Sequence, residues 1–209
     1  MRDGRQGLLV VLSGPSGVGK GTVCRKLLES SPNMTLSISV TTRAMRPGEK
    51  EGREYFYRSD EEFSRMVRDG EFLEYVRVFG TDSYGTPKKY VQEQLDAGRD
   101  VILEIDVKGG LRVKEVCPEA VLVFLAPPSM EELKHRLISR GTESPEAVKR
   151  RTDVAYSEMQ CISYYDYVVI NCTVEDSVNG MEAIIHAEKS RVSRSNDLIS
   201  LLLEGCDPV

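Results

Sequence analysis

The chain of 209 residues has no tryptophan, two histidines and five cysteines. The cysteines, Cys24, Cys117, Cys161, Cys172 and Cys206, are odd in number, widely spaced and form no C-x-x-C pair. That spacing argues against a disulfide framework and against a thiolate zinc site, and it fits a reducing cytoplasm in which the thiols are buried and free. His135 and His186 belong to no motif and read as ordinary surface or core residues. No apolar run is long enough for a signal-peptide core or a membrane span. A strong excess of one charge is also missing. Twenty-eight Lys and Arg face 33 Asp and Glu, for a net charge of −5 and a pI near 5.3. Nothing in that balance would hold the chain on nucleic acid or on an anionic membrane, so any bound anion must be gripped by a local cluster.

What is present is ordinary in bulk and specific in pattern. Hydrophobic residues make up 40% and charged residues 29%, as in a soluble globular protein. The length suits one large domain, or a core with an inserted lobe. LLVVLS (Leu8 to Ser13) is a short β-branched run that stops at glycines, as a buried parallel strand does. DVILEID (Asp100 to Asp106), AVLVFLA (Ala120 to Ala126) and DYVVIN (Asp166 to Asn171) read as three more buried strands. Helical patterns lie between and after them, with Pro87 and Pro145 at helix starts and Ser129 as an N-cap. Strands separated by helices predict an α/β fold, a parallel sheet covered on both faces. The segment 37–86 breaks the rhythm with short half-exposed strands (SISVTT, EYFYRS, LEYVRVFG) around one short helix, and is expected to be a small mixed lobe inserted into the core. The core then comprises 1–36 and 87–194. The tail, 195–209, carries an apolar patch, LISLLL, of open role.

LSGPSGVGKGT, from Leu12 to Thr22, carries the strongest single signal. A strand, Gly14, four residues, Gly19 and Lys20, then a helix, is the context of a phosphate-binding P-loop. Glycines let successive backbone N–H groups converge on one oxyanion, the helix adds its positive end, and Lys20 adds a mobile charge for the outer phosphates of a nucleoside triphosphate. The residue after Lys20 is Gly21 rather than Ser or Thr, so Thr22 or a water has to serve Mg²⁺ instead. Two further clusters supply positive charge. TTRAMRPGEKEGREYFY concentrates Arg43, Arg46, Lys50 and Arg53 around two glycines before three aromatics. In KHRLISRG, Arg136 and Arg140 are four apart on one helix face, and Arg150 and Arg151 follow beyond GTESPE, a segment suited to a hinge. Solvated surface charge is the bland reading of each. Beside a P-loop, a second anion site and a closing lid of about 137–150 fit better.

With these pieces in place the chain resembles the guanylate kinases. GPSGVGKGT, TTRAMRPGE, Tyr55, FLEY, SYGTP, LEIDVKG, FLAPPS, RLISRGTES and VVIN occur in the family's order over roughly 8–189. The resemblance implies a P-loop core, an inserted GMP-binding lobe and a lid, and phosphoryl transfer from ATP to GMP giving ADP and GDP. It implies ATP binding by Gly14, Pro15, Ser16, Gly17, Val18, Gly19, Lys20, Gly21 and Thr22, with Asn171 near the adenine. Arg43 and Arg46 would grip the GMP phosphate with Tyr55, and Glu49 would orient the arginines. Glu74 would accept from guanine N1–H and the 2-amino group, Ser39 and Thr86 would bond near O6, and Tyr84 would line the site. Glu104 stands where an aspartate is common and would reach towards GMP. Asp106 would organise Mg²⁺ through water, with Thr22 as a second candidate for the metal. Lys20, Arg43 and the lid arginines Arg136, Arg140 and Arg151 would carry catalysis. ATP and GMP, with dGMP, are the implied partners, and the number of subunits stays open. Two rival readings are a family member that binds peptides without catalysis and a kinase for another small phosphate acceptor. The intact P-loop opposes the first, and Glu74 with Thr86 opposes the second.

Overall fold

The structure, a computed structural model, describes residues 6–78, 82–139, 145–194 and Ile199. Strand β1 (Leu9–Ser13) is buried along its whole length and has parallel neighbours on both sides. Its residues must therefore be apolar on both faces, which is why LVVLS reads as a continuous run and not as an alternation. Val10 and Leu12 pack into one core layer with Val23 and Leu27 of α1 (Lys20–Ser30) and Met181 of α7 (Val174–Lys189). Leu9 and Val11 point the other way, into a layer with Val91 and Leu95 of α3 (Lys88–Asp96) and Val113 of α4 (Val107–Val116).

Around β1 the sheet is completed by β2 (Met34–Leu36), β7 (Asp100–Glu104), β8 (Val121–Ala126) and β9 (Tyr167–Ile170), in the order β2-β7-β1-β8-β9, all parallel. The chain moves to one side of β1 for β2 and β7 and to the other for β8 and β9, so the order reverses at β1. Crevices at such reversals, outside the carboxyl ends of the strands, are where α/β sheets hold ligands. Helices α5 (Met130–Ser139) and α6 (Pro145–Met159) lie between β8 and β9 in sequence. Ser129 caps α5, its hydroxyl accepting from Glu132 N–H at 3.1 Å.

A second sheet, order β4-β3-β6-β5, is formed by β3 (Val40–Thr41), β4 (Phe56–Tyr57), β5 (Phe72–Val78) and β6 (Asp82–Pro87). It has its own small core, in which Val40, Phe63 and Phe72 are buried and the two phenylalanine rings stack at 4.7 Å. Phe63 comes from α2 (Asp60–Arg68), whose start is fixed by a capping box: Ser59 Oγ accepts from Glu62 N–H, and the Glu62 carboxylate accepts from Ser59 N–H.

The parallel core and the mixed second sheet agree with the sequence-based fold class, and the differences have physical reasons. SISVTT and EYFYRS contribute only two strand residues each. The strands β2 and β6 were not anticipated; DSYGTP has poor strand propensity and pairs because β3 and β5 flank it. β7 stops at Glu104, so Asp106 does not end the strand as expected; it is the N-cap of α4, accepting Gly109 N–H at 2.7 Å. The expectation of buried thiols holds for Cys24, whose pKa burial pushes up to about 12, and fails for the exposed Cys172; Cys206 lies outside the described residues. No helix among the described residues is long and apolar enough to cross a membrane.

Where α7 ends, Glu188 is 2% exposed, accepts from the Tyr167 hydroxyl of β9 and from Arg191, and pairs at 3.5 Å with Arg194, both arginines lying beyond the helix. Replacing it leaves the Tyr167 hydroxyl and Arg191 without their acceptor and the arginines without their counter-charge. We expect Glu188→Ala to lower stability by about 1–3 kcal/mol, seen as a lower thermal midpoint.

Candidate active site

The turn after β1 leads into α1 without a side-chain cap. Gly14 enters it at φ 150, and an added Cβ there would come 2.2 Å from the carbonyl oxygen of Leu125. Gly19, at φ 106, is the N-cap of α1, where no side chain caps the helix and no acidic residue occupies the first turn. The starts of α2, α4 and α7 are capped by Ser59, Asp106 and Thr173, while α3, which follows Pro87, like α1 has no side-chain cap. An uncapped start with N–H groups facing outward is a ready anion site. Lys20 opens that helix and folds back, donating to the carbonyls of Gly14 at 2.6 Å and Pro15 at 3.3 Å. Burial lowers the ammonium pKa, and Glu158, Glu104 and Asp106 work against that. Thr22, two residues on, is exposed.

The back of the turn is braced from β9 and α5. Asn171, expected beside the adenine, is buried, donates from Nδ2 to Val18 C=O at 2.7 Å and accepts at Oδ1 from Ser177 at 2.9 Å. Its side chain supports the loop backbone. Arg136 does the same, reaching the carbonyls of Val18 and Asn171 while pairing with Glu132. Arg151 lies on α6; Arg140 and the segment 141–144 fall outside the described residues.

The Arg43 cluster belongs to the second sheet, just after β3. Arg43 Nη2 donates to both Glu49 carboxylate oxygens, at 2.8 and 3.0 Å, and its guanidinium lies 5.4 Å from the centre of the Tyr55 ring. Glu49 also accepts from Arg46 N–H and from the Tyr57 hydroxyl, both at 2.8 Å. Tyr84 closes the ring, 5.7 Å from Tyr55. The structure thus brings Arg43, Glu49, Tyr55 and Tyr84 together. The side chain of Arg46 is exposed beside them, and Ser39 is half-buried one residue before β3. Tyr57 was missed as a candidate although it stands two residues from Tyr55, the spacing that puts both on one side of an extended chain.

Deeper in the second sheet, Glu74 and Thr86 are cross-strand partners on β5 and β6, and the Thr86 hydroxyl donates to Glu74 Oε1 at 2.7 Å. Thr86 is two residues from Tyr84, so one face of β6 joins this pair to the arginine cluster. Glu74 is buried, and burial raises its pKa, with Asp106 adding to the rise and Thr86 and Arg112 opposing it. A buried carboxylate held above its ordinary range is one whose desolvation outweighs the donors it has, here Thr86. Gly109 makes room for it: a Cβ there would sit 3.2 Å from Glu74 Oε2.

Glu104 and Asp106 stand between the two halves. Glu104 leans over Gly21, where a Cβ would come 3.3 Å from its Oε1. The absent side chain after Lys20 is therefore space that this carboxylate uses. Burial raises the Glu104 pKa while Lys20 and Arg25 lower it. Asp106 commits one oxygen to its helix cap, and a carboxylate has a second to offer. No group of three or more potential metal ligands occurs among the described residues.

The protein-family profile described as guanylate kinase matches residues 6–188. This chain belongs to the guanylate kinase family. It is 52% identical over 194 residues to the guanylate kinase of Caldanaerobacter subterraneus subsp. tengcongensis, covering 93% of this chain and 94% of that protein. It is 51% identical over 200 residues to the guanylate kinase of Clostridium tetani, covering 96% and 95%. Among solved structures, the guanylate kinase of Anaplasma phagocytophilum superposes with a TM-score of 0.75 at 36% identity, covering 98% of this chain and 97% of that one.

Within this guanylate kinase fold, Glu49 has the most strongly depressed carboxylate. The hydrogen bonds from Arg43, then those from Arg46 N–H and Tyr57, bring its pKa from 4.5 to about 2. The ionised cluster therefore contributes stability above the ordinary value of 4.5, and the contribution is lost as pH falls through about 2. A carbon-detected NMR titration should show the Glu49 carboxyl still ionised at pH 3. In Arg43→Met the same carbon should titrate much closer to 4.5.

Proposed function

We propose that the chain transfers the terminal phosphoryl group of ATP to the phosphate of GMP, giving ADP and GDP, and that it does so in the cytoplasm. One set of contacts supports the reading most strongly: Glu104 leans over Gly21 beside Lys20, and Asp106 and Glu74 both approach Gly109, so the start of α1 and the carboxylate–hydroxyl pair flank the same two acidic residues. A triphosphate on the first and a guanine nucleotide on the second would meet end to end. Gly14 to Thr22 hold the ATP phosphates in this reading, and Lys20 leaves its carbonyl partners to follow the transferred group. Arg43, ordered by Glu49, and Arg46 hold the GMP phosphate with Tyr55 and Tyr84. The guanine base lies against Glu74, Thr86 and Ser39, with Glu104 beside the nucleotide. dGMP, which shares the base and the phosphate, is accepted as well.

The acceptor phosphate is already an anion, so no strong general base is needed. Positioning and charge neutralisation suffice, supplied by Lys20, Arg43 and the arginines Arg136, Arg140 and Arg151. Mg²⁺ fits the donor set. It keeps waters and takes most of its remaining ligands from phosphates, needing one or two carboxylates, which Asp106 and its neighbour Glu104 provide, with Thr22 in reach of the same turn. When bound it would neutralise charge on the ATP phosphates. Closure of the second sheet and the lid over the crevice would exclude water that could otherwise take the phosphoryl group.

Two measurements test the assignments. Lys20→Ala should lower kcat by roughly 10²–10³ or more while leaving the thermal midpoint unchanged. A variant with near-normal kcat would remove the ATP site from this turn. Glu74 tests the base. GMP offers N1–H and the 2-amino group to the carboxylate; AMP has an unprotonated N1 and no 2-amino group, so it would leave a buried carboxylate unpaired. Such mismatches discriminate by roughly 10⁴–10⁵. Glu74→Gln should lose much of its kcat/KM for GMP while the activity on AMP falls less or rises. An unchanged GMP:AMP ratio would place the base reader elsewhere.

A further inference from the structure

Glu158 is a carboxylate on the phosphate-binding turn that the reading above does not use. It lies in the last turn of α6, and its Oε2 accepts the backbone N–H of Ser16 at 3.4 Å. Among the carboxylates acting on Lys20 it has the largest influence, ahead of Glu104 and Asp106. Lys20 itself is turned onto the carbonyls of Gly14 and Pro15. The turn is thus closed on itself, with a carboxylate at one of its amides and its lysine on its own backbone. Burial raises the Glu158 pKa and Lys20 and the Ser16 N–H lower it, which fits a carboxylate borrowed from solvent into a crowded place.

The helix that delivers Glu158 also carries Arg151. The two are seven residues apart, two turns, so they lie on one face of α6. Ala155 between them is fully buried, which marks that face as the inward one. A phosphate received by the Ser16 amide would stand against the Glu158 carboxylate, and two anions in a site walled by protein repel strongly. Both cannot hold that amide.

We propose that Glu158 is a latch: through Ser16 N–H it holds α6 against the phosphate-binding turn, and ATP phosphates that take that amide displace it and re-aim α6 with Arg151. The inference rests on the ATP site proposed above and deepens it. Glu158 acts through the Ser16 amide and Lys20, as a positioning residue. It links occupancy of the turn after β1 to the placement of a helix far along the chain.

The test measures dissociation constants of a non-hydrolysable ATP analogue and of GMP by calorimetry, together with amide hydrogen exchange of α6 without nucleotide. Glu158→Gln keeps the shape and removes the charge. It should bind the analogue about tenfold tighter, leave GMP affinity unchanged, and exchange faster along α6 than the wild type. Glu158→Ala, which removes the acceptor as well, should shift at least as far. A purely structural role would weaken both ligands together. Analogue affinity that is unchanged or weaker in folded variants overturns the latch. If the wild type itself fails to bind the analogue, the ATP site falls and the latch with it. If the wild type binds and the variants do not differ, only the latch falls.

Discussion

The architecture depends on one set of donors, the backbone N–H groups where β1 gives way to α1 with no side chain capping the helix. A helix start normally finds a side-chain oxygen, as α2, α4 and α7 do here. At α1 the cap position is a glycine in a left-handed conformation and the first turn contains no acid. The rest of the sheet makes that arrangement affordable. β1 is locked between two parallel neighbours, Leu125 presses on Gly14, and Asn171 and Arg136 hold the carbonyl of Val18 from behind. The amides stay aimed outward because the backbone behind them cannot relax.

Charge around this turn is arranged by distance more than by number. A chain with net charge −5 keeps Lys20 beside three carboxylates, and keeps Arg43 on a carboxylate that also ties down Arg46 N–H and Tyr57. Each cation is therefore ordered before any ligand arrives, and less side-chain entropy is lost on binding. Burial works the other way at Glu74, where it penalises the ionised form until donors are supplied. The same crevice thus combines preformed sites for anions with a site that favours a neutral group rich in N–H donors.

Gly21 shows how a local departure from a motif acquires sense in three dimensions. In sequence it is only the loss of a hydroxyl. In the fold it is the space over which the Glu104 carboxylate leans, brought there by the end of β7. The extra methylene of a glutamate, relative to an aspartate, is what lets a residue on that strand end reach the turn.

Features made by neighbours along the chain were legible in the sequence. The β-branched run ending in glycines and a lysine, the apolar strands between helices, the cap at Ser129, and the clustering of Arg43, Glu49 and Tyr55 all arise within a few residues, where strand geometry, helix caps and glycine conformations act. What joins distant segments was not. β6 became a strand because β3 and β5 offered it partners, Asn171 turned out to brace Val18 from 153 positions away, and Glu158 reached Ser16 across 142. Residue types and their near neighbours limit which side chains can bind an anion or form the core. Which of them face one another follows from folding, because a carboxylate and an amide interact over a few ångströms of space whatever the length of chain between them.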